Sequence, residues 1–402
     1  MKTTYLRTLL PLLPLALFTS AAAQDGLQQR AEALARDALI IDGHIDMPYQ
    51  VYGEWADVSG YVENNDFDAP RARAGGLNAP FMSIYLPAET EASDEAFALA
   101  NRLIDLVEAQ VARAPETFGI ATSPDEVETL VDAGRIALPL GMENGAAIDG
   151  DLDNLRHFHE RGIRYITLAH SKANHIADSS YDTVPVWQGL SPFGEELVRA
   201  MNDIGMIIDV SHITDEAFFD VAGITEAPLV ATHSSARHFT PGFERNVSDG
   251  IIEAIADTGG IVMINFGSAF LTAEANEWQE KFSAARGNVM AQHGTEDRDH
   301  PAVAAFSEAY RKQNPYPYAS TGDVADHIEH VVKLAGIDHV GVGSDYDGVG
   351  DSLPQGLKDA SAYPNLIAEL LQRDYSEADI RKILGANLMR VWREVEAYAE
   401  AN

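Results

Sequence analysis

The sequence predicts an α/β protein, a single TIM-like (β/α)8 barrel, and three observations carry that expectation. Short apolar, β-branched runs alternate with amphipathic stretches. There are eight such runs, and six of them deliver a histidine or an acid at their C-terminal end. Continuous apolar runs flanked by helical patterns read as parallel strands buried on both faces. Eight units in one chain fit a closed barrel better than an open doubly wound sheet. No repeat, low-complexity tract or Pro/Gly/Ser-rich linker divides the chain, so its 402 residues read as one domain.

In chain order, the first run, 38–42, leads into Gly43-His44-Ile45-Asp46. The second is 81–86, with a helical pattern over 95–113 behind it. The third, 136–141, is followed by Met142-Glu143 and then a helix over 152–161. The fourth, 163–169, ends at His170 and precedes a helix over 193–204. The fifth, 206–210, leads to Ser211-His212, and the sixth, 229–232, to His233, before a helix over 248–258. The seventh is 261–265. A long polar stretch, 271–320, follows as an insertion that would serve as a lid or a homodimer contact on the catalytic face. A helix over 323–335 then leads to the eighth run, 340–343, which ends in Ser344-Asp345. The segment 376–400 reads as one or two helices packed on the outside.

Composition narrows the function classes. The chain carries 62 acidic and 28 basic residues, a formal charge of −34, which repels nucleic acid and anionic membrane surfaces. Hydrophobic residues make up 46%, enough for a large core. The absence of cysteine excludes disulfide scaffolds, thiolate metal sites and cysteine nucleophiles. No Gly-x-Ser-x-Gly elbow or Gly-rich phosphate loop is present. Residues 1–23 have the pattern of a signal peptide: Lys2 and Arg7, a short apolar run, then Ala21-Ala22-Ala23. The expected mature domain is 24–402, exported to a bacterial periplasm or secreted, without a membrane anchor.

In a barrel the C-terminal strand ends converge on one mouth. Imidazole nitrogens and carboxylate oxygens suit zinc and related divalent ions. In an extended His-x-Asp, residues two apart face the same side, so His44 and Asp46 can share one ion. His212 and His233 are candidates for a second ion, with the two oxygens of Glu143 bridging both. Two ions about 3.5–4 Å apart would hold a hydroxide at neutral pH, a nucleophile that needs no serine or cysteine. A single histidine at a strand end is more often a hydrogen-bonded structural residue; the joint placement of six such strand ends is the signal. His327 and His330 share one helical face and read as packed or solvated, and His238 lacks a strand context.

Several stretches resemble the membrane (renal) dipeptidases, a zinc dipeptidase family. They are Ile41-Asp42-Gly43-His44-Ile45-Asp46-Met47-Pro48, Asp68-Ala69-Pro70-Arg71-Ala72-Arg73, Gly141-Met142-Glu143-Asn144-Gly145, Thr167-Leu168-Ala169-His170, Asp209-Val210-Ser211-His212, Thr232-His233-Ser234-Ser235, Arg245-Asn246-Val247, Gly343-Ser344-Asp345-Tyr346-Asp347-Gly348 and Gly385-Ala386-Asn387-Leu388. They span nearly the whole mature chain in the family's order. The resemblance implies two zinc ions per chain, one held by His44, Asp46 and Glu143 and the other by Glu143, His212 and His233. It further implies that His170 stabilises the oxyanion, Arg245 grips the free C-terminal carboxylate of a dipeptide, and Asp345 shuttles the proton from water to the leaving amine. Tolerance of a C-terminal D-residue is part of the same implication. Phe270 stands where some members carry a substrate-contacting tyrosine. The competing classes are a two-metal amidohydrolase-type barrel acting on a lactone, cyclic amide or N-acyl amino acid, and a non-catalytic exported peptide-binding protein.

Overall fold

A computed structural model describes residues 15–93 and 95–402. Ten strands form: β1 (Ile40–Ile45), β2 (Leu77–Tyr85), β3 (Phe118–Ile120), β4 (Ile136–Leu138), β5 (Leu140–Glu143), β6 (Ile163–Thr167), β7 (Ile207–Asp209), β8 (Leu229–Ala231), β9 (Ile261–Ile264) and β10 (Val340–Val342). Eight of them pair in parallel in the order β1-β2-β5-β6-β7-β8-β9-β10, while β3 and β4 pair only with each other. The ring is brought together between its first and last strands. Ile45 bridges Tyr346, the Asp46 N–H donates to the Tyr346 carbonyl at 2.9 Å, and the Asp345 N–H donates to the His44 carbonyl at 3.0 Å. This is the (β/α)8 barrel expected from the sequence, and no described helix is long and apolar enough to cross a membrane. Residues 1–14 of the expected signal peptide lie outside the described residues; Leu15–Asp37 is one helix.

The single run expected over 136–141 is two strands in the structure. Pro139 cannot donate to a ladder, and the chain changes sheet there: β4 pairs with β3, and β5 enters the barrel between β2 and β6. The inner core stacks Ile41, Phe81, Tyr165, Val230, Ile261 and Met263 against Leu388 and Trp392. The helix Asn387–Ala401, expected to pack on the outside, therefore plugs the barrel from below. Its apolar face buries Leu388, Met389, Val391 and Trp392, with the Trp392 ring 5.2 Å from that of Phe81. Burying a Trp of this kind is worth about 3–5 kcal/mol relative to Ala. Gly141 is the small partner in this packing, because a Cβ there would run into the Tyr165 ring.

The insertion between β9 and β10 is a helical hairpin. Helices Ala273–His293 and Pro301–Gln313 enclose a separate aromatic cluster of Trp278, Phe282 and Tyr316, flanked by Phe306, Tyr310 and Tyr318. The Trp278 indole N–H donates to the Asn314 carbonyl at 3.0 Å.

Candidate active site

The strand ends turn their polar residues inward by local backbone geometry. Register places Glu143 beside Tyr85 on one side and Thr167 on the other, and Asp209 beside Thr167. Just past the strands, Asn144, His212 and Asp345 adopt left-handed backbone with φ of 74°, 72° and 62°. That conformation costs a residue with a Cβ about 1 kcal/mol and clusters at functional sites. Gly348 lies so close to the Asp46 and Asp345 carboxylates that a Cβ has no room.

The six strand ends meet. Glu143 is the hub. Its Oε2 lies 3.4 Å from His44 Nε2, and its Oε1 lies 3.1 Å from His212 Nε2, 3.2 Å from His233 Nε2 and 3.4 Å from His170 Nε2. His44 Nε2 also sits 3.5 Å from Asp46 Oδ2. The ligand atoms form overlapping groups within 4.8 Å: His44–Glu143–His233, Glu143–His170–His212 and His44–Asp46–Asp345. His212 Nε2 and His233 Nε2 approach to 2.9 Å.

This donor set fits divalent cations. Buried polar atoms are seldom left unpaired, yet His44 Nε2, Asp46 Oδ1, His170 Nδ1 and His212 Nδ1 have no hydrogen-bond partner. Imidazole nitrogens converging on one carboxylate oxygen at about 3 Å are the N/O set that zinc and its neighbours take. Burial, reinforced by His44, pushes the His233 imidazole down to about 4, and burial with Arg245 and His170 nearby pushes His212 well down. Both histidines are therefore neutral at pH 7 and present lone pairs. Burial alone would raise the Glu143 carboxyl, but His170, His44, His212 and His233 outweigh it and hold the group well below the usual range. Asp345 differs: burial pushes its carboxyl up to about 6.

A supporting layer orients these groups. His44 Nδ1 meets the Tyr165 hydroxyl at 2.7 Å, and His233 Nδ1 meets the Thr232 hydroxyl at 2.7 Å. Asp209 Oδ2 accepts from both Thr232 Oγ1 at 2.7 Å and Thr167 Oγ1 at 2.5 Å. Asn265 Nδ2 donates to Asp345 Oδ2 at 2.7 Å, and the Tyr85 ring packs edge-on against His170 at 4.8 Å. None of these was given a role from the sequence, although Thr167, Asp209 and Thr232 lie in the stretches that carry the family resemblance. Tyr165, Thr167 and Thr232 lie inside β-like runs, where a polar atom looks like strand propensity, and Asn265 closes the seventh run, which ends in neither a histidine nor an acid.

Arg245 reaches the same cluster and is 2% exposed. It donates to Ser234 Oγ at 2.7 Å, the His233 carbonyl at 3.0 Å and His212 Nε2 at 2.9 Å. Its Nε has no partner, and no carboxylate among the described residues forms an ion pair with it. Its guanidinium carbon lies 5.3 Å from the Phe270 ring centre. Tyr181, from the long segment after β6, brings its ring to 5.9 Å from His212 and 6.3 Å from Phe243.

Comparison with known proteins agrees with this architecture. The family model for membrane dipeptidase, peptidase family M19, matches residues 28–402. Dipeptidase tcpJ of Claviceps purpurea is 34% identical over 350 residues, covering 85% of this chain and 71% of that protein. Dipeptidase 3 of Mus musculus is 31% identical over 386 residues, covering 93% and 68%. The crystal structure of the probable dipeptidase PvdM from Pseudomonas aeruginosa superposes with a TM-score of 0.81 at 29% identity, covering 93% of this chain and all of that one. A metallopeptidase from Rhodobacter sphaeroides, liganded with a phosphinate mimic of the dipeptide L-Ala-D-Ala, superposes with a TM-score of 0.72 at 25% identity, covering 89% and 99%. Family-model coverage of nearly the whole chain and relatives above 30% identity lead to one statement: this chain belongs to the M19 membrane dipeptidase family of metallopeptidases.

Proposed function

We propose that the chain is an exported binuclear zinc dipeptidase that cleaves the single peptide bond of free dipeptides, including those with a C-terminal D-residue. The observation that carries this reading is Arg245: a buried guanidinium with only neutral partners, set against the His44–Asp46–Glu143–His212–His233 donor cluster. A buried cation without an anion is costly, and a guanidinium fork matches a carboxylate in two hydrogen bonds. The free C-terminus of a dipeptide supplies that carboxylate at a fixed distance from the scissile bond.

His44, Asp46 and Glu143 would hold one zinc, and Glu143, His212 and His233 the other. When bound, such a pair lowers the pKa of water and polarises the substrate carbonyl. The chain's own residues do the rest. Asn265 fixes Asp345 Oδ2, leaving Oδ1 to accept the proton of the attacking water and return it to the departing amine. His170, kept neutral by burial and braced by Tyr85, offers a ring N–H where negative charge grows on the carbonyl oxygen. Phe270 packs against the Arg245 guanidinium, and Phe243 and Tyr181 pack next to it, so these rings would flank the C-terminal residue of a dipeptide held by Arg245. Acceptance of a D-residue there follows the relative that binds a mimic of L-Ala-D-Ala. Export rests on the pattern of residues 1–23.

The test is reconstitution. Protein stripped by chelation and titrated with zinc should regain hydrolysis of L,L and L,D dipeptides as two equivalents per chain bind. Tripeptides should remain uncut. Full turnover by the stripped protein, or two bound equivalents with no dipeptide cleaved, would overturn the reading.

A further inference from the structure

Away from the barrel mouth, three side chains from three separate elements bring ligand atoms within 4.8 Å of one another: His238, Asp249 and His330. His238 lies on the short turn Arg237–Phe239, Asp249 opens the helix Asp249–Asp257, and His330 lies on the helix Thr321–Ala335. The sequence read His330 as a packed or solvated residue of one helical face and His238 as lacking a strand context. In the structure their rings stack at 4.4 Å with 21° between planes, and His330 Nε2 sits 2.8 Å from Asp249 Oδ1. We propose that His238, Asp249 and His330 form a third, peripheral site for a divalent transition-metal cation, independent of the catalytic cluster.

Three features support the assignment. Two imidazoles and one carboxylate are a donor set zinc takes, with a fourth position left for water. Asp249 is uncommitted: among the described residues its only ion-pair partner is His330, with no lysine or arginine on it. The neighbouring His327 shows what a structural histidine looks like here. Its Nδ1 accepts from the Ala236 N–H at 2.9 Å and its Nε2 faces the Leu271 carbonyl at 3.0 Å, so both nitrogens are used. His330, one turn later, keeps its nitrogen for Asp249, and Phe239 packs against both rings at 4.4 and 5.7 Å.

The consequence is mechanical. The turn bearing His238 belongs to the segment running from His233 to Arg245. A cation here ties the outer edge of that segment to two helices of the barrel wall. Occupancy stabilises the fold without entering the chemistry, as any ligand bound only by the native state does.

Metal counting tests this directly. Full-length protein dialysed against micromolar free Zn2+ should hold one more equivalent than His238→Asn or His330→Gln protein under the same conditions. The readout is that difference, so it stands whether or not the catalytic site takes two zinc ions. Removing a ligand should weaken the extra site at least about tenfold, while dipeptide turnover stays at the wild-type level. Added Zn2+ should raise the Tm of the wild type and not that of either variant. His238 is exposed, so its replacement leaves the core intact should His330→Gln destabilise the helix. Equal zinc content and equal zinc-dependent Tm shifts in wild type and His238→Asn would overturn the proposal.

Discussion

Replacing Asp345 by Asn keeps its shape and its link to Asn265 while removing the proposed proton acceptor. Metal content should stay at the wild-type level, and kcat should fall by on the order of 100- to 10,000-fold; elemental analysis beside steady-state kinetics checks both halves. Arg245→Ala separates binding from chemistry. Loss of charged hydrogen bonds of this type costs about 1.5–3 kcal/mol, so KM for free dipeptides should rise on the order of 10- to 100-fold. A C-terminally amidated dipeptide lacks the carboxylate, and the same substitution should change its kcat/KM far less. These two residues also differ in how readable they were. Asp345 stands at the end of a β-like run, where barrel topology alone marks it. Arg245 sits in a loop with no periodic signal, and only family resemblance pointed to it before its burial and unpaired Nε were on view.

Elements act by positioning. Tyr165 on β6 reaches across the barrel to His44 Nδ1, which requires Gly141 on β5 to have no side chain. Tyr165→Phe removes one oxygen from this layer and should weaken metal binding about 10- to 100-fold with the fold unchanged, as measured by competition with a chelator. The helical hairpin Ala273–Gln313 stands apart because its aromatic cluster is separate from the two barrel cores. Trp278→Ala should therefore raise amide exchange across 273–313 while β1 to β8 keep their protection. Element by element, the barrel strands were legible because each is a continuous apolar run. Three features were not. β3, Phe118-Gly119-Ile120, has a glycine at its centre and no continuous apolar run around it. Pro139 splits an unbroken apolar run between two sheets. The apolar face of Asn387–Ala401 has helical spacing whether it packs outside the barrel or plugs it.

For the whole molecule, pH acts on stability through buried histidines remote from the cluster. Burial pushes His327 down to about 4 from an ordinary 6.5. Between those values the unfolded chain binds the proton and the folded chain does not, so stability rises with pH across that window. The contribution of neutral His327 is complete above about 6.5 and is lost as pH falls toward about 4. A difference of this size corresponds to about 3 kcal/mol. His327→Gln should flatten the dependence of unfolding free energy on pH over that interval, as read from denaturant titrations. The net charge of −34 adds self-repulsion that salt screens, so the comparison belongs at constant ionic strength.

Whether Arg245 reads the free C-terminal carboxylate of a dipeptide beside the proposed metal pair is measured by relative kcat/KM. Purified zinc-loaded protein is given a free dipeptide, its C-terminal amide and the matching N-acyl amino acid. Zinc-dependent cleavage of the free dipeptide is expected, with its C-terminal amide cut at least about tenfold less well. Efficient cleavage of the N-acyl amino acid with the dipeptide untouched would contradict it and identify an amidohydrolase-type activity in the same barrel.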